Sequence, residues 1–128
     1  MRALITGISG FVGPYLSRYL LSKGIDVFGI DIFESNILDE GVKFFKANIL
    51  DERSMYSVLE ESSPDLIFHL AGFSSVKRSF ESPKLCHKIN VGGTKNLFDS
   101  IIKSGINPKV LVVGSAEIYG IPKKLPIK

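Results

Sequence analysis

The sequence predicts an α/β domain built as a doubly wound parallel sheet with strand order 3-2-1-4-5, and two observations carry that expectation. Short, continuously apolar runs alternate with longer segments whose apolar residues recur at helical spacing. A glycine-spaced turn stands between the first apolar run and the first helical segment. Strands that read as unbroken apolar runs are buried on both faces, the condition of a parallel sheet covered by helices.

Each element has its own signal. Ala3–Thr6 forms a first strand, closed by Gly7. Val12, Leu16, Tyr19 and Leu20 then fall on one helical face, and Gly24 ends that helix. Pro14 is tolerated because it lies in the first turn, where its missing N–H costs no bond. Asp26–Ile30 makes a second strand and Val42–Ala47 a weaker third, in which Phe44 and Phe45 place one ring on each side. Asp51 reads as the N-cap of a short helix with Met55, Val58 and Leu59 inward. Leu66–Ala71 is a fourth strand. Ser82-Pro83 opens a long helix in which Thr94, Leu97, Phe98, Ile101 and Ile102 share one face, with Gly105 at its end. Val110–Val113 is a fifth strand. Residues 1–120 are thus read as the domain and 121–128 as a loop or tail, with the later strands of a full sheet missing.

Composition removes several function classes. The 128 residues suffice for one core, and the 45% hydrophobic and 23% charged content is that of a globular domain. No apolar run is long enough to span a bilayer and no signal-peptide layout opens the chain, so no membrane partner is expected. The single cysteine, Cys86, excludes an internal disulfide and a cysteine-cluster metal site, and the expected setting is a reducing cytoplasm. Lys123, Lys124 and Lys128 account for the whole net charge of +3, which leaves no basic face for nucleic acid.

The turn from Thr6 to Gly13 carries the chemistry. Gly7 permits a sharp turn, Gly10 lets backbone approach a pyrophosphate and Gly13 lets the helix pack closely. The N–H groups of the helix start, at the positive end of its dipole, favour phosphate. Eighteen residues after Gly13, Asp31 ends the second strand, where a carboxylate accepts from both ribose hydroxyls and repels a 2′-phosphate. This favours NAD over NADP as the dinucleotide. Asn48 and Ile49, after the third strand, are candidates to flank the adenine.

These residues, with His69-Leu70-Ala71-Gly72, Asn90-Val91-Gly92-Gly93-Thr94 and Gly114-Ser115-Ala116-Glu117-Ile118-Tyr119-Gly120, make the chain resemble the extended short-chain dehydrogenase/reductases of nucleotide sugars, a Rossmann-like family. The runs Phe68–Val76 and Ser115–Gly120 look most like the GDP-mannose branch of dehydratases and 4-keto reductases, while epimerases share much of the pattern. The resemblance implies that Gly7, Gly10, Phe11, Val12 and Gly13 hold the pyrophosphate, that Asp31 and Ile32 meet the adenosine ribose, and that Asn48 and Ile49 meet the adenine. It implies that Leu70, Ala71, Gly72 and Ser74 line the path to the nicotinamide ribose. Ser115 would be the catalytic hydroxyl on the sugar's C4 oxygen, and Glu117 the acid/base of a dehydratase.

The family's tyrosine, made acidic by a lysine four residues on, has no credible counterpart here. Tyr19–Lys23 and Tyr119–Lys123 match the spacing alone, the first on the inward helix face and the second in a loop. The chain therefore reads as a dinucleotide-binding N-terminal portion, inactive alone, without the sugar-binding part. The alternatives are a non-catalytic dinucleotide sensor and one half of a split enzyme. A nucleotide-sugar partner is expected only with further sequence, and the unfinished sheet edge is expected to self-associate. His69 reads as structural rather than as a base, Asn90 as a brace on nearby backbone, and Lys77, Arg78, Lys84 and Lys88 as a solvated face.

Overall fold

A computed structural model describes residues 1–115, 120, 121, 123 and 124. Five parallel strands form one sheet: β1 (Arg2–Thr6), β2 (Asp26–Asp31), β3 (Val42–Lys46), β4 (Leu66–His69) and β5 (Lys109–Val112). Their order is β3-β2-β1-β4-β5, as predicted. Helix α1 (Gly13–Ser22) packs on one face with Ala3, Ile5, Ile8, Leu20 and Val27. Helices α2 (Glu52–Ser62) and α5 (Gly93–Ser104) cover the other, where Met55, Val58, Leu59, Leu97 and Ile101 meet Leu4, Phe28, Ile30 and Ile67. Alternate strand residues feed the two cores, and Phe44 and Phe45 do divide between them.

Local chemistry explains the element ends. Asp51 caps α2 by accepting from Arg53 N at 3.2 Å. Gly105, at φ 67°, closes α5 in the left-handed region. β4 stops at His69, two residues short of the expected end, because its neighbour β1 ends at the paired Thr6. Leu70 and Ala71 thereby become loop.

Other expectations are corrected. Tyr19 and Val12 are exposed, and α1 turns Gly13, Ser17 and Leu20 inward instead. Ile102 is 77% exposed and Phe98 is exposed too, because α5 faces the core with Gly93, Leu97, Ser100 and Ile101. Small residues win these faces because they let helix backbone approach the sheet. The buried Ser17 and Ser62 hydroxyls donate to carbonyls of their own helices, so neither needs an outside partner.

The long helix expected after Pro83 is α4 (Pro83–His87), then a π segment (Lys88–Gly92), then α5. Ser82 precedes it without a side-chain cap. A short helix that periodicity did not predict, α3 (Val76–Glu81), is capped by Ser75 and buries nothing. β5 departs from the two-faced burial expected of its apolar run: Leu111, Val112 and Val113 are all exposed. Among the described residues no strand pairs with its outer edge.

Candidate functional site

The site lies at the carboxyl ends of β1, β2 and β4, where the chain crosses from one side of β1 to the other, the usual place for a ligand in an open α/β sheet. The glycine turn forms its floor. Gly7 has φ +71°, and a Cβ there would lie 2.7 Å from Ala71 Cα, so the turn and the β4 loop touch through backbone. A Cβ on Gly13 would lie 1.9 Å from the Ile8 carbonyl oxygen. The close approach that requires Gly13 is thus within the turn itself, rather than between helix and sheet. Ile8 is fully buried and sits over Gly29, where a Cβ would come within 2.3 Å of its Cδ1. Gly29 is a site-shaping residue that sequence reasoning missed; its signal is a glycine inside an otherwise apolar strand.

At the mouth of the turn no side chain caps α1. Phe11 and Tyr15 stand exposed there, their ring centroids 5.8 Å apart. A Cβ on Gly10 would meet only the Gly7 carbonyl, at 3.2 Å, so the surface above it is open to a ligand. An uncapped helix start over an open glycine turn fits a pyrophosphate.

Asp31 ends β2 with its carboxylate in use. One oxygen accepts from Ser9 N at 3.0 Å and the other from Ile32 N at 2.8 Å. A carboxylate has about four acceptor sites, so capacity for ribose hydroxyls is left. Ser9 was not singled out by sequence reasoning, yet its hydroxyl donates to Phe33 O at 2.7 Å and accepts from Ser35 N at 3.2 Å. Asp31 and Ser9 together stitch the glycine turn to the loop after β2. Ile32 is exposed beside them.

Asn48 is exposed and accepts from Leu50 N at 2.9 Å. Ile49, paired with it as an adenine contact, points into the core at 8% exposure, and its carbonyl accepts from Asn96 Nδ2 at 2.6 Å. That corrects its side chain's expected place: it lies under Gly93, where a Cβ would come within 2.9 Å of it.

On the opposite side, Leu70 and Ala71 are half-buried, while Gly72 and Ser74 are exposed. Ala71 N donates to Thr6 Oγ1 at 3.2 Å. The Asn90 side chain braces the same loop, its Oδ1 accepting from Phe73 N at 2.7 Å and its Nδ2 donating to Phe73 O at 3.4 Å. His69 is buried, between Thr6 Oγ1 at 2.7 Å from Nδ1 and Thr94 Oγ1 at 2.9 Å from Nε2. Burial holds its pKa below the ordinary value. These partners give it the structural character expected of it.

Ser115 is exposed beyond β5, and Glu117 lies outside the described residues, as does Tyr119. Tyr19 and Lys23 stack on one another at 5.4 Å on the exposed side of α1. Lys77, Arg78, Lys84 and Lys88 are all exposed. No helix among the described residues is long and apolar enough to cross a membrane.

Comparison with known proteins agrees with this geometry. The family described as GDP-mannose 4,6 dehydratase matches residues 4–128. The chain is 34% identical, over 98% of its length, to UDP-glucose 4-epimerase of Mycolicibacterium smegmatis, and spans 42% of that protein. It is 29% identical to GDP-mannose 4,6-dehydratase of Vibrio cholerae, covering 99% of itself and 38% of the relative. The crystal structure of UDP-glucose 4-epimerase from Bifidobacterium longum, in complex with NAD+ and UDP, superposes with TM-score 0.90 at 31% identity. That match covers 99% of this chain and 41% of the other.

Proposed function

The chain belongs to the GDP-mannose 4,6 dehydratase family, and from that premise we propose that it is the NAD-binding portion of a nucleoside diphosphate sugar dehydratase, reductase or epimerase. The observation that carries the reading is the joined set of glycine turn, uncapped α1 start and Asp31. Gly7, Gly10, Phe11, Val12 and Gly13 hold the pyrophosphate, and Asp31 with Ile32 takes the adenosine ribose. Asn48 faces the adenine, while Leu70, Ala71, Gly72 and Ser74 face the nicotinamide ribose. NAD, when bound, supplies the hydride acceptor for a sugar carbinol.

Ser115 orients the sugar's C4 oxygen in this reading, and Glu117 moves the proton of a dehydration. The GDP-sugar assignment leans on the family that matches residues 4–128, and the UDP-sugar alternative on the epimerase relatives. Hydride transfer also needs a phenolate beside a lysine, and the Tyr19–Lys23 pair, exposed on α1, does not meet that need. We expect binding without turnover by these residues alone, and self-association through the exposed β5 edge.

Calorimetric titration of this chain with NAD and with NADP is the test. NAD should bind, with NADP weaker by about tenfold or more because its phosphate meets the Asp31 carboxylate. No heat with millimolar NAD would sink the assignment, and tighter binding of NADP would sink the role of Asp31. Sedimentation velocity of the same sample should show association that grows with concentration, and a strict monomer would remove the edge from the account.

A further inference from the structure

Six residues around the β4 side of the site are joined by hydrogen bonds into a ring that closes through the backbone of residues 71–73, and its polarity is determined by the donors Ala71 N and Thr94 Oγ1. Ala71 N donates to Thr6 Oγ1 at 3.2 Å, so that oxygen is an acceptor there. Thr94 Oγ1 donates its only proton to Asn90 O at 2.6 Å, so toward His69 Nε2 it can only accept. Nε2 must then carry the proton, and in a neutral ring Nδ1 is the acceptor for the Thr6 hydroxyl at 2.7 Å. The Asn90 side chain grips both backbone groups of Phe73, and the backbone through Gly72 returns from there to Ala71.

We propose that His69, neutral with its proton on Nε2, is a positioning residue for the nicotinamide half of the dinucleotide. This rests on the NAD-binding reading above. The placement follows from the fold: Asp31 at the end of β2 takes the adenosine ribose, the pyrophosphate crosses the glycine turn, and the remaining half must lie over the end of β4. There the chain from Ala71 to Phe73 has no strand to hold it. Thr6 pins its first residue and Asn90 its last, and His69 joins the two pins through Thr94.

The π segment belongs to the same device. It carries Asn90, whose carbonyl is bonded by the Thr94 hydroxyl while its side chain reaches the loop. Such segments frequently mark functional positions in helices. Thr6 is fully buried, so a second proton on the histidine would leave its hydroxyl hydrogen facing Nδ1–H with no acceptor there.

Two measurements test this, the first independent of any ligand. Long-range 1H–15N spectra of the apo chain should show His69 as the Nε2–H tautomer; an Nδ1–H tautomer or a charged ring at pH 7.5 would overturn the relay whether or not NAD binds. The second compares NAD with ADP, which lacks the nicotinamide half. Thr94→Val should weaken NAD by about tenfold and leave ADP within about twofold, and Thr94→Ser should restore NAD. Equal loss of both ligands, or no rescue by serine, would make the ring a general prop and overturn its positioning role. If the parent chain binds neither ligand, the NAD-binding reading fails, and the positioning role fails with it, while the tautomer still reports on the relay.

Discussion

The two lips of the crevice are held by different means. Over β2, exposed and half-buried groups do the holding: Asp31 and Ser9 tie backbone to backbone across two loops. Over β4 the anchor is the buried pair Thr6 and His69, with the ring widening outward to half-buried Thr94 and exposed Asn90. A bond near water is exchanged cheaply, because water replaces a lost partner. A bond in the core is not, because the abandoned group has nowhere to turn. The β2 lip should therefore tolerate change and the β4 lip should not. The floor they share, the glycine turn, is held by the backbone bonds of Gly7 N and Ile8 N to Ile30 O and by close steric contacts.

The largest expected effect breaks the comparison at that floor. Gly13→Ala puts a methyl 1.9 Å from the Ile8 carbonyl oxygen, so the turn must move and both lips move with it. A cost of about 3 kcal/mol is expected in denaturant unfolding, together with loss of measurable NAD binding. Unchanged stability would show that the turn yields more easily than its contacts imply.

An intermediate effect separates the lips by pH. His69 has its pKa lowered by burial, so just below its ordinary value of 6.5 the unfolded chain binds more protons than the folded one. Stability from this residue is therefore complete above about 6.5, falls as the pH drops below it, and levels off once the folded pKa is passed. The ring's hydrogen-bond partners are the neutral Thr6 and Thr94, and burial is the cause of the shift. Urea midpoints from pH 7.5 to 5.5 should show this slope, and His69→Asn should flatten it. A slope that survives the substitution would assign it elsewhere.

The smallest effect sharpens the β2 lip. Ser9→Ala removes the hydroxyl that bridges Phe33 and Ser35 but keeps the backbone bond to Asp31. A loss of about 1 kcal/mol, or roughly fivefold in NAD affinity, is expected by calorimetry. A loss as large as that of a β4-lip variant would erase the distinction between them.

What was legible in the sequence follows the same division. The turn from Thr6 to Gly13 could be read because its glycines answer to steric demands that few other residues meet. Sheet order and the main helices could be read from their apolar runs. Helix faces were misplaced where the inward residue is small: Tyr19, Phe98 and Ile102 advertise hydrophobicity, but Ser17, Ser100 and Gly93 are what the sheet accepts. α3 left no periodic trace because it buries nothing. The contributions of Ser9 and Thr94 depend on contacts with residues far along the chain, and no local pattern announces such partners. Ile49, read as a ligand contact, went to the core because Gly93 offers it a gap.

The π segment also constrains how this chain can vary in length. Each α-helical residue turns the backbone by about 100°, so removing one residue from Lys88–Gly92 to regularise the helix would swing α4 by about that angle around α5. Asn90 would leave Phe73, and the loop over β4 would lose its outer pin. Surface loops such as the one between β2 and β3 can gain or lose residues at small entropic cost. This stretch of helix cannot, and a single-codon deletion here should be among the least tolerated changes of length in the domain.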